Sequence, residues 1–225
     1  MTMRVARYWA PRLDDALHAL GSRWLGRDAE TGAAIAQPAV EGFDIAEATA
    51  DARLYGLHAT LKPPFRVATS WAEVRADALA IAARTRPFAL PPLRLANPHG
   101  FLALLESRPS PKLQALCDAL VEGLDRHRAP PTPEEIARRR PERMTDRQRA
   151  NLHRWGYHLV FEEFWFHVTL SRRVSEAERA VLEPQLATYL GDVPAQPRRV
   201  TELCLFTQAA AGAPFLIAER LPLLG

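Results

Sequence analysis

Lysine and cysteine are scarce in this chain of 225 residues, and no long hydrophobic run occurs in it. The two cysteines, Cys117 and Cys204, stand apart inside apolar patterns. We therefore expect buried thiols rather than a disulfide framework or a zinc knuckle. No stretch reaches the roughly 20 apolar residues of a membrane span, and the N-terminal residues lack the apolar core of a signal peptide. The expectation is a cytoplasmic protein without a membrane partner.

Negative charge is nearly as abundant as positive charge, which limits what the basic pI of 9.2 can mean. Lysine and arginine total 29 against 26 acidic residues, a net charge of +3, and all but two of the basic residues are arginine. So small an excess argues against duplex DNA as a partner. A small anionic substrate is the better inference.

Two short strings, LHATL and FHVTL, stand about half a chain apart, and each sets a histidine and a threonine in an apolar frame. Residues two apart in a strand point to the same face, so His58 projects with Thr60 and His167 with Thr169. The apolar neighbours then face a core. Two such strands predict a site built on two histidines.

The same alternation extends both faces of the predicted site. Lys62 would lie on the face of His58, while Trp165 and Arg173 would lie on the face of His167. Lys62 and Arg173 are either substrate-binding cations or solvated strand ends. Trp165 is placed to stack on a base or a ribose.

A phosphodiester between the two imidazoles suits this pattern. An imidazole titrates near pH 6.5, so at neutral pH one ring can accept a proton from water while a protonated partner donates one to the leaving oxygen. The threonine hydroxyls can donate to the non-bridging oxygens. This scheme needs no metal or cofactor, and the sequence contains neither HExxH nor GxSxG.

Strand and helix patterns alternate through the chain as a loose duplication, with each motif strand preceding a capped helix. Ser70 with Glu73 and Ser175 with Glu178 have capping-box spacing at these two helices. The predicted fold class is α+β, with two pseudo-symmetric lobes of mainly antiparallel sheet. We expect residues 1–225 to form one two-lobed domain.

Residues 130–156 differ in character, being polar and rich in arginine. Thr132 with Glu135 and Thr145 with Gln148 also have capping-box spacing, which predicts two short helices inserted between the lobes. The arginine run is more typical of a solvated helical face than of a phosphate-binding lid.

The strings YGLHATLKPPF and FHVTLSRRV resemble the paired motifs of the two-histidine (2H) phosphoesterase superfamily. They are similar in particular to a bacterial subfamily associated with phosphonate metabolism genes. The resemblance implies antiparallel sheets related by a pseudo-twofold axis, helices outside them and a central cleft. It also makes His58 and His167 the catalytic pair, and Thr60 and Thr169 the phosphate ligands. Three further residues fit the subfamily pattern: Tyr55, Lys62 and Arg173.

The substrate implied is a cyclic phosphodiester, such as a small phosphorylated sugar or nucleotide or an RNA end. Phosphonate breakdown through a carbon–phosphorus lyase passes through a ribosyl 1,2-cyclic phosphate, which is one candidate. The insertion at 130–156 is not part of the minimal superfamily fold, so the substrate cannot be taken from RNA-processing members. Two rivals stay open: a non-catalytic module that binds a nucleotide or RNA end, and a metallohydrolase. The oligomeric state is not indicated.

Overall fold

The computed structural model describes residues 3–225, an antiparallel sheet with helices packed against it. The strands are β1 (Arg4–Trp9), β2 (Ala59–Arg66), β3 (Phe88–Leu90), β4 (Leu93–Ala96), β5 (Phe101–Glu106), β6 (His167–Arg173), β7 (Arg198–Val200), β8 (Glu202–Gln208) and β9 (Leu216–Pro222). The helices are α1 (Ala16–Leu25), α2 (Ile45–Ala48), α3 (Ala50–Tyr55), α4 (Trp71–Arg84), α5 (Pro111–Gly123), α6 (Pro133–Ala137), α7 (Asp146–Trp155) and α8 (Glu176–Leu190).

Seven strands form one sheet in the order β4-β5-β6-β2-β1-β8-β9, and β3 pairs with β7 in a small separate sheet. The pairings are antiparallel, which confirms the predicted α+β class. The two halves of the large sheet meet where β2 runs beside β6. There Ala59 pairs with Val168, and no other pair joins these two strands within the described residues. We call these two residues the junction pair.

Alternation along the strands decides which side of the sheet each residue faces. In β8, Leu203 and Leu205 join the core formed with the helices, whereas Cys204 and Phe206 belong to a second apolar cluster. Tyr8 of β1 belongs to that second cluster too. The large sheet therefore has a helix-covered face and an opposite face, and the candidate site opens on the opposite face.

Capping boxes fix the starts of four helices as predicted, because each cap satisfies backbone donors that the first turn leaves free. Both reciprocal hydrogen bonds are present at α4, α6, α7 and α8; the caps are Ser70, Thr132, Thr145 and Ser175. The two short helices predicted in the inserted segment are thus confirmed. The assignment of the whole chain to one domain stays a prediction. None of the helices between residues 3 and 225 has the length and apolar character to cross a bilayer.

The sequence YHLVFEEFWF before the second motif is rich in aromatic residues, which predicts a strand or hairpin, but this segment forms neither. Phe161–Glu163 forms a 3₁₀ turn, and Phe161 has a positive φ of 54°. The Phe161 carbonyl accepts a hydrogen bond from the side chain of Gln114 at 2.9 Å, which ties the turn to α5. The Phe161 ring packs edge-on against Trp155 of α7. Aromatic packing against helices therefore outweighs strand propensity in this segment.

Candidate active site

The two His–Thr motifs lie side by side on β2 and β6. Counting outward from the junction pair, His58 comes opposite Thr169, and Thr60 comes opposite His167. His58, Thr60 and Thr169 line one cleft of about 240 Å³. The structure thus brings the two predicted pairs together from separate halves of the sheet.

Each histidine is held by a backbone carbonyl two residues earlier in the chain. His58 Nδ1 lies 2.9 Å from the Gly56 carbonyl oxygen, and His167 Nδ1 lies 3.2 Å from that of Trp165. A carbonyl only accepts, so in both rings Nδ1 carries the hydrogen and donates it. Nε2 is then the nitrogen whose proton changes with the charge of the ring.

Aromatic rings surround His58 and change its acidity. The centroid of its ring lies 4.1 Å from that of Tyr8 and 5.7 Å from that of Tyr55. Burial lowers the pKa of His58 from 6.5 to about 4, the hydrogen bond to the Gly56 carbonyl opposes this, and charge on His167 lowers it further. His58 is therefore neutral at pH 7. The two imidazoles are close enough to interact electrostatically.

His167 stacks on Trp165, with ring centroids 4.0 Å apart and an interplanar angle of 23°. Phe101 of β5 contacts the pair, its ring centroid 6.1 Å from that of His167. Burial lowers the pKa of His167 below 6.5, the Trp165 carbonyl opposes the change, and charge on His99 adds to it. The perturbation is smaller than that at His58, so a single shared proton favours His167.

Thr60 already contacts its histidine. Its Oγ1 lies 3.4 Å from His58 Nε2. Since Nδ1 of that ring carries the hydrogen, the hydroxyl of Thr60 donates to Nε2. The same hydroxyl can turn to a phosphate oxygen when one is bound, which frees Nε2 to accept a proton.

The prediction that Lys62 shares the face of His58 is wrong. Tyr8 pairs with Thr60 but Arg7 pairs with Lys62, so Leu61 is an extra residue, a β-bulge, in β2. A bulge reverses the alternation beyond it. Lys62 therefore points into the helix-covered side, where it is 2% exposed.

The buried amine of Lys62 donates to the carbonyl oxygen of Val121 in α5 at 2.9 Å. Burial lowers the pKa of Lys62 from 10.5 to about 7, and the nearby Asp125 carboxylate opposes the change. Lys62 is a structural residue here.

The three other residues predicted around the histidines occupy different positions. Tyr55 lines the cleft and stacks between His58 and Phe215. Trp165 is half-buried, and one face of its indole contacts His167. Arg173 is exposed at the end of β6, paired with Phe101 across the strands. Its role in binding stays a prediction.

The cleft has further lining residues that sequence reasoning missed: Arg4, Tyr8, Arg139 and Tyr157. Arg4 and Tyr8 could have been found, because they lie four apart on β1 and alternation puts them on one face. Arg139 follows helix α6, and nothing in the local sequence distinguishes it from its arginine neighbours. Among residues 3–225, no group of three or more histidine, cysteine or acidic side chains is arranged to hold a metal ion.

Residues 60–216 match the family model described as "Protein of unknown function (DUF1045)", which covers well over half of the chain. The chain belongs to this family. Among curated proteins, this DUF1045 chain is 33% identical over 231 residues to a protein of Janthinobacterium sp. (strain Marseille) and 34% identical over 224 residues to one of Laribacter hongkongensis (strain HLHK9).

Both relatives are named "Ribose 1,5-bisphosphate phosphokinase PhnN". The DUF1045 chain is matched over 99% of its length but spans only about half of theirs, 51% and 52%. Neither lysine of the chain follows a glycine, so it carries no Walker-type phosphate loop. The relatives' full activity is therefore not transferred to this chain.

Among solved structures, the chain is similar to E. coli LigT complexed with 3'-AMP. The TM-score is 0.50 and the sequence identity is 17%, with complete coverage of both chains. At that identity the match shows the fold alone. The chain thus has a LigT-like fold, as the resemblance of its motifs implied.

Proposed function

We propose that this protein is a metal-independent phosphoesterase that opens a cyclic phosphodiester by acid–base catalysis with two histidines. The observation that carries the proposal is the junction pair, which sets the two His–Thr motifs side by side from opposite halves of the sheet. His58, Thr60 and Thr169 line the cleft, and His167 lies opposite Thr60 on the neighbouring strand. A phosphate in this cleft would meet one imidazole from each half. In-line displacement requires such opposed groups, because the nucleophile enters opposite the leaving oxygen.

The lowered pKa of His58 supports one assignment of the two roles. His58, with its pKa of about 4, is the neutral ring and takes a proton from the attacking water. Water oxygen bonds to phosphorus, the bond from phosphorus to one ring oxygen breaks, and protonated His167 gives its proton to that oxygen. The hydroxyls of Thr60 and Thr169 donate to the non-bridging oxygens as negative charge grows there. The product is a phosphomonoester with a free neighbouring hydroxyl.

A sugar cyclic phosphate is the substrate class best supported. Two curated relatives are named for ribose 1,5-bisphosphate. Hydrolysis of a ribosyl 1,2-cyclic phosphate that breaks the bond between phosphorus and the oxygen on C2 leaves the phosphate on the oxygen of C1. This fits the phosphonate-associated subfamily that the motifs resemble. The LigT neighbour was solved with a nucleotide, 3'-AMP, so nucleoside 2′,3′-cyclic phosphates and cyclic-ended RNA form the broader class to test.

The deciding experiment follows hydrolysis by ³¹P NMR in the presence of excess chelator. The substrates are ribosyl 1,2-cyclic phosphate, nucleoside 2′,3′-cyclic phosphates and cyclic-ended RNA. Wild-type protein should open at least one of them, and His58→Ala and His167→Ala should each lose about 100-fold or more in kcat. His153→Ala is the matched control, because His153 is exposed on α7.

Turnover that survives in either cleft variant would refute the acid–base roles. Binding of these compounds without turnover would favour the alternative of a non-catalytic module that binds nucleotides or RNA ends. Activity that chelation abolishes and added divalent metal restores would favour the metallohydrolase rival.

A further inference from the structure

The histidine cleft continues into a second cavity of about 370 Å³. The two cavities share four lining residues: Arg4, Tyr55, Pro64 and Arg139. Two of these four are arginines, from β1 and from the inserted segment. Positive charge is therefore concentrated where the two spaces join, beside the His–Thr pairs.

Arg4 and Arg139 have no acidic partner within 4 Å among the described residues. Arg4 donates to the side-chain oxygen of Gln208 at 3.0 Å, and the Arg139 guanidinium lies 4.8 Å from the centre of the Tyr157 ring. These contacts hold each side chain in place without an ion pair, and the Glu135 carboxylate acts on Arg4 only from beyond ion-pair distance. Asp51, exposed on α3, is the carboxylate that lines the cleft.

Two other arginines of the second cavity are neutralised, while Arg138 donates to the backbone carbonyl of Glu134. Arg66 pairs with Glu135 at 3.2 Å, and Arg128 pairs with Asp125 at 2.9 Å. The contrast matters because a carboxylate already offsets the charge of Arg66 and of Arg128. Arg4 and Arg139 instead keep most of their donors available for a ligand.

Tyr8 gives an independent indication of a ligand. Its side chain is fully buried and lines the cleft, yet its hydroxyl has no hydrogen-bond partner among the described residues. A buried hydroxyl without a partner costs free energy unless something else satisfies it. A ligand oxygen in the cleft would do so.

We propose that Arg4 and Arg139, with the hydroxyl of Tyr8, bind a second phosphate, a phosphomonoester carried by the same cyclic phosphodiester substrate. This inference rests on the proposed function. Two guanidinium groups match the charge of a phosphomonoester dianion and offer it several charge-assisted hydrogen bonds. The internucleotide phosphates of an RNA chain carry a single charge, so they match the pair less well. The inserted segment then contributes to substrate choice through Arg139.

The test compares ribosyl 1,2-cyclic phosphate with its 5-phosphorylated form. In wild-type protein the 5-phosphate should raise kcat/KM by about tenfold to a hundredfold, as expected for hydrogen bonds between charged groups. In Arg4→Gln and Arg139→Gln the ratio between the two substrates should fall towards one. The ratio cancels any effect of either variant on the shared chemistry. Arg147→Gln, an exposed arginine on α7, is the control and should keep the wild-type ratio.

Hydrolysis of both compounds at equal efficiency would overturn the second phosphate site and leave the proposed function standing. If a preceding nucleotide in cyclic-ended RNA raises kcat/KM more than a terminal phosphate does, the arginines bind an RNA strand. That result would also overturn the second phosphate site. If neither compound is hydrolysed, the proposed function fails. Calorimetry with ribose 1,5-bisphosphate and ribose 1-phosphate then decides on the arginines, since equal affinity would overturn the site.

Discussion

Replacing Lys62 by methionine should make the free energy of unfolding less dependent on pH. The Lys62 amine is buried and donates to the carbonyl of Val121, and burial lowers its pKa from 10.5 to about 7. The folded protein therefore binds this proton less tightly than the unfolded chain does. The charge destabilises the fold fully below about pH 7, and the penalty fades as the pH rises towards 10.5. At 1.36 kcal/mol per pH unit, the full penalty is about 5 kcal/mol.

Urea unfolding at about pH 6 and about pH 9 measures this penalty directly. From pH 6 to pH 9 the free energy of unfolding of wild-type protein should increase by about 3 kcal/mol relative to that of Lys62→Met, because Lys62 is deprotonated in the folded state at the higher pH. Lys112→Met is the matched control, since Lys112 is the other lysine of the chain and is exposed at the start of α5. If the free energy of unfolding depends equally on pH in wild type and in Lys62→Met, the conclusion that Lys62 is a buried, weakly paired cation is refuted.

The same variant also checks the β-bulge at Leu61. Because the bulge turns Lys62 away from the cleft, Lys62→Met should keep wild-type kcat/KM on any substrate that the protein hydrolyses. A large loss of kcat/KM in a folded variant would instead support the prediction from simple alternation that Lys62 faces the cleft.

Three further predictions concern the cleft. With rising pH, kcat/KM should increase through about pH 4 as His58 loses its proton. It should decrease again as the pH passes the pKa of His167, which lies below 6.5, so maximal activity above pH 7 would contradict this order. A p-nitrophenyl phosphodiester, whose phenolate leaves without protonation, should rescue His167→Ala but not His58→Ala; the opposite result would exchange the roles. Gly56→Ala should lower thermal stability by about 2 kcal/mol or more and reduce kcat, since φ is +77° and an added Cβ would lie 2.4 Å from Ala29 Cβ; a variant with wild-type Tm would refute this.

Local signals in the sequence predicted much of this fold. A capping box acts over three residues, so Ser70 with Glu73 and Ser175 with Glu178 identify helix starts from the sequence alone. The paired His–Thr motifs are similarly local, and their apolar frames indicated which face is buried. What the motifs could not provide is the junction pair, because pairing between distant strands depends on the whole sheet.

The errors have equally specific causes. Nothing in LHATLKPPF marks Leu61 as an extra residue, since a bulge is defined by the partner strand. Arg139 seemed part of a solvated run, and only the packing of the inserted segment against the end of β2, where Glu135 pairs with Arg66, brings it to the cleft. The aromatic run around Phe161 favoured a strand on propensity, but tertiary contacts with α5 and α7 override it.

The junction pair has a consequence for any division of the molecule. Because β2 and β6 each contribute one imidazole and one hydroxyl, a fragment with a single motif contains only half of these four groups. Such a fragment could complete the arrangement only by docking a second copy of itself through the equivalent of Ala59 and Val168. Two separately expressed parts of the chain, one with each motif, would have to rebuild the pairings of β1 with β8 and of β5 with β6 as well as this seam before both motifs stood side by side again.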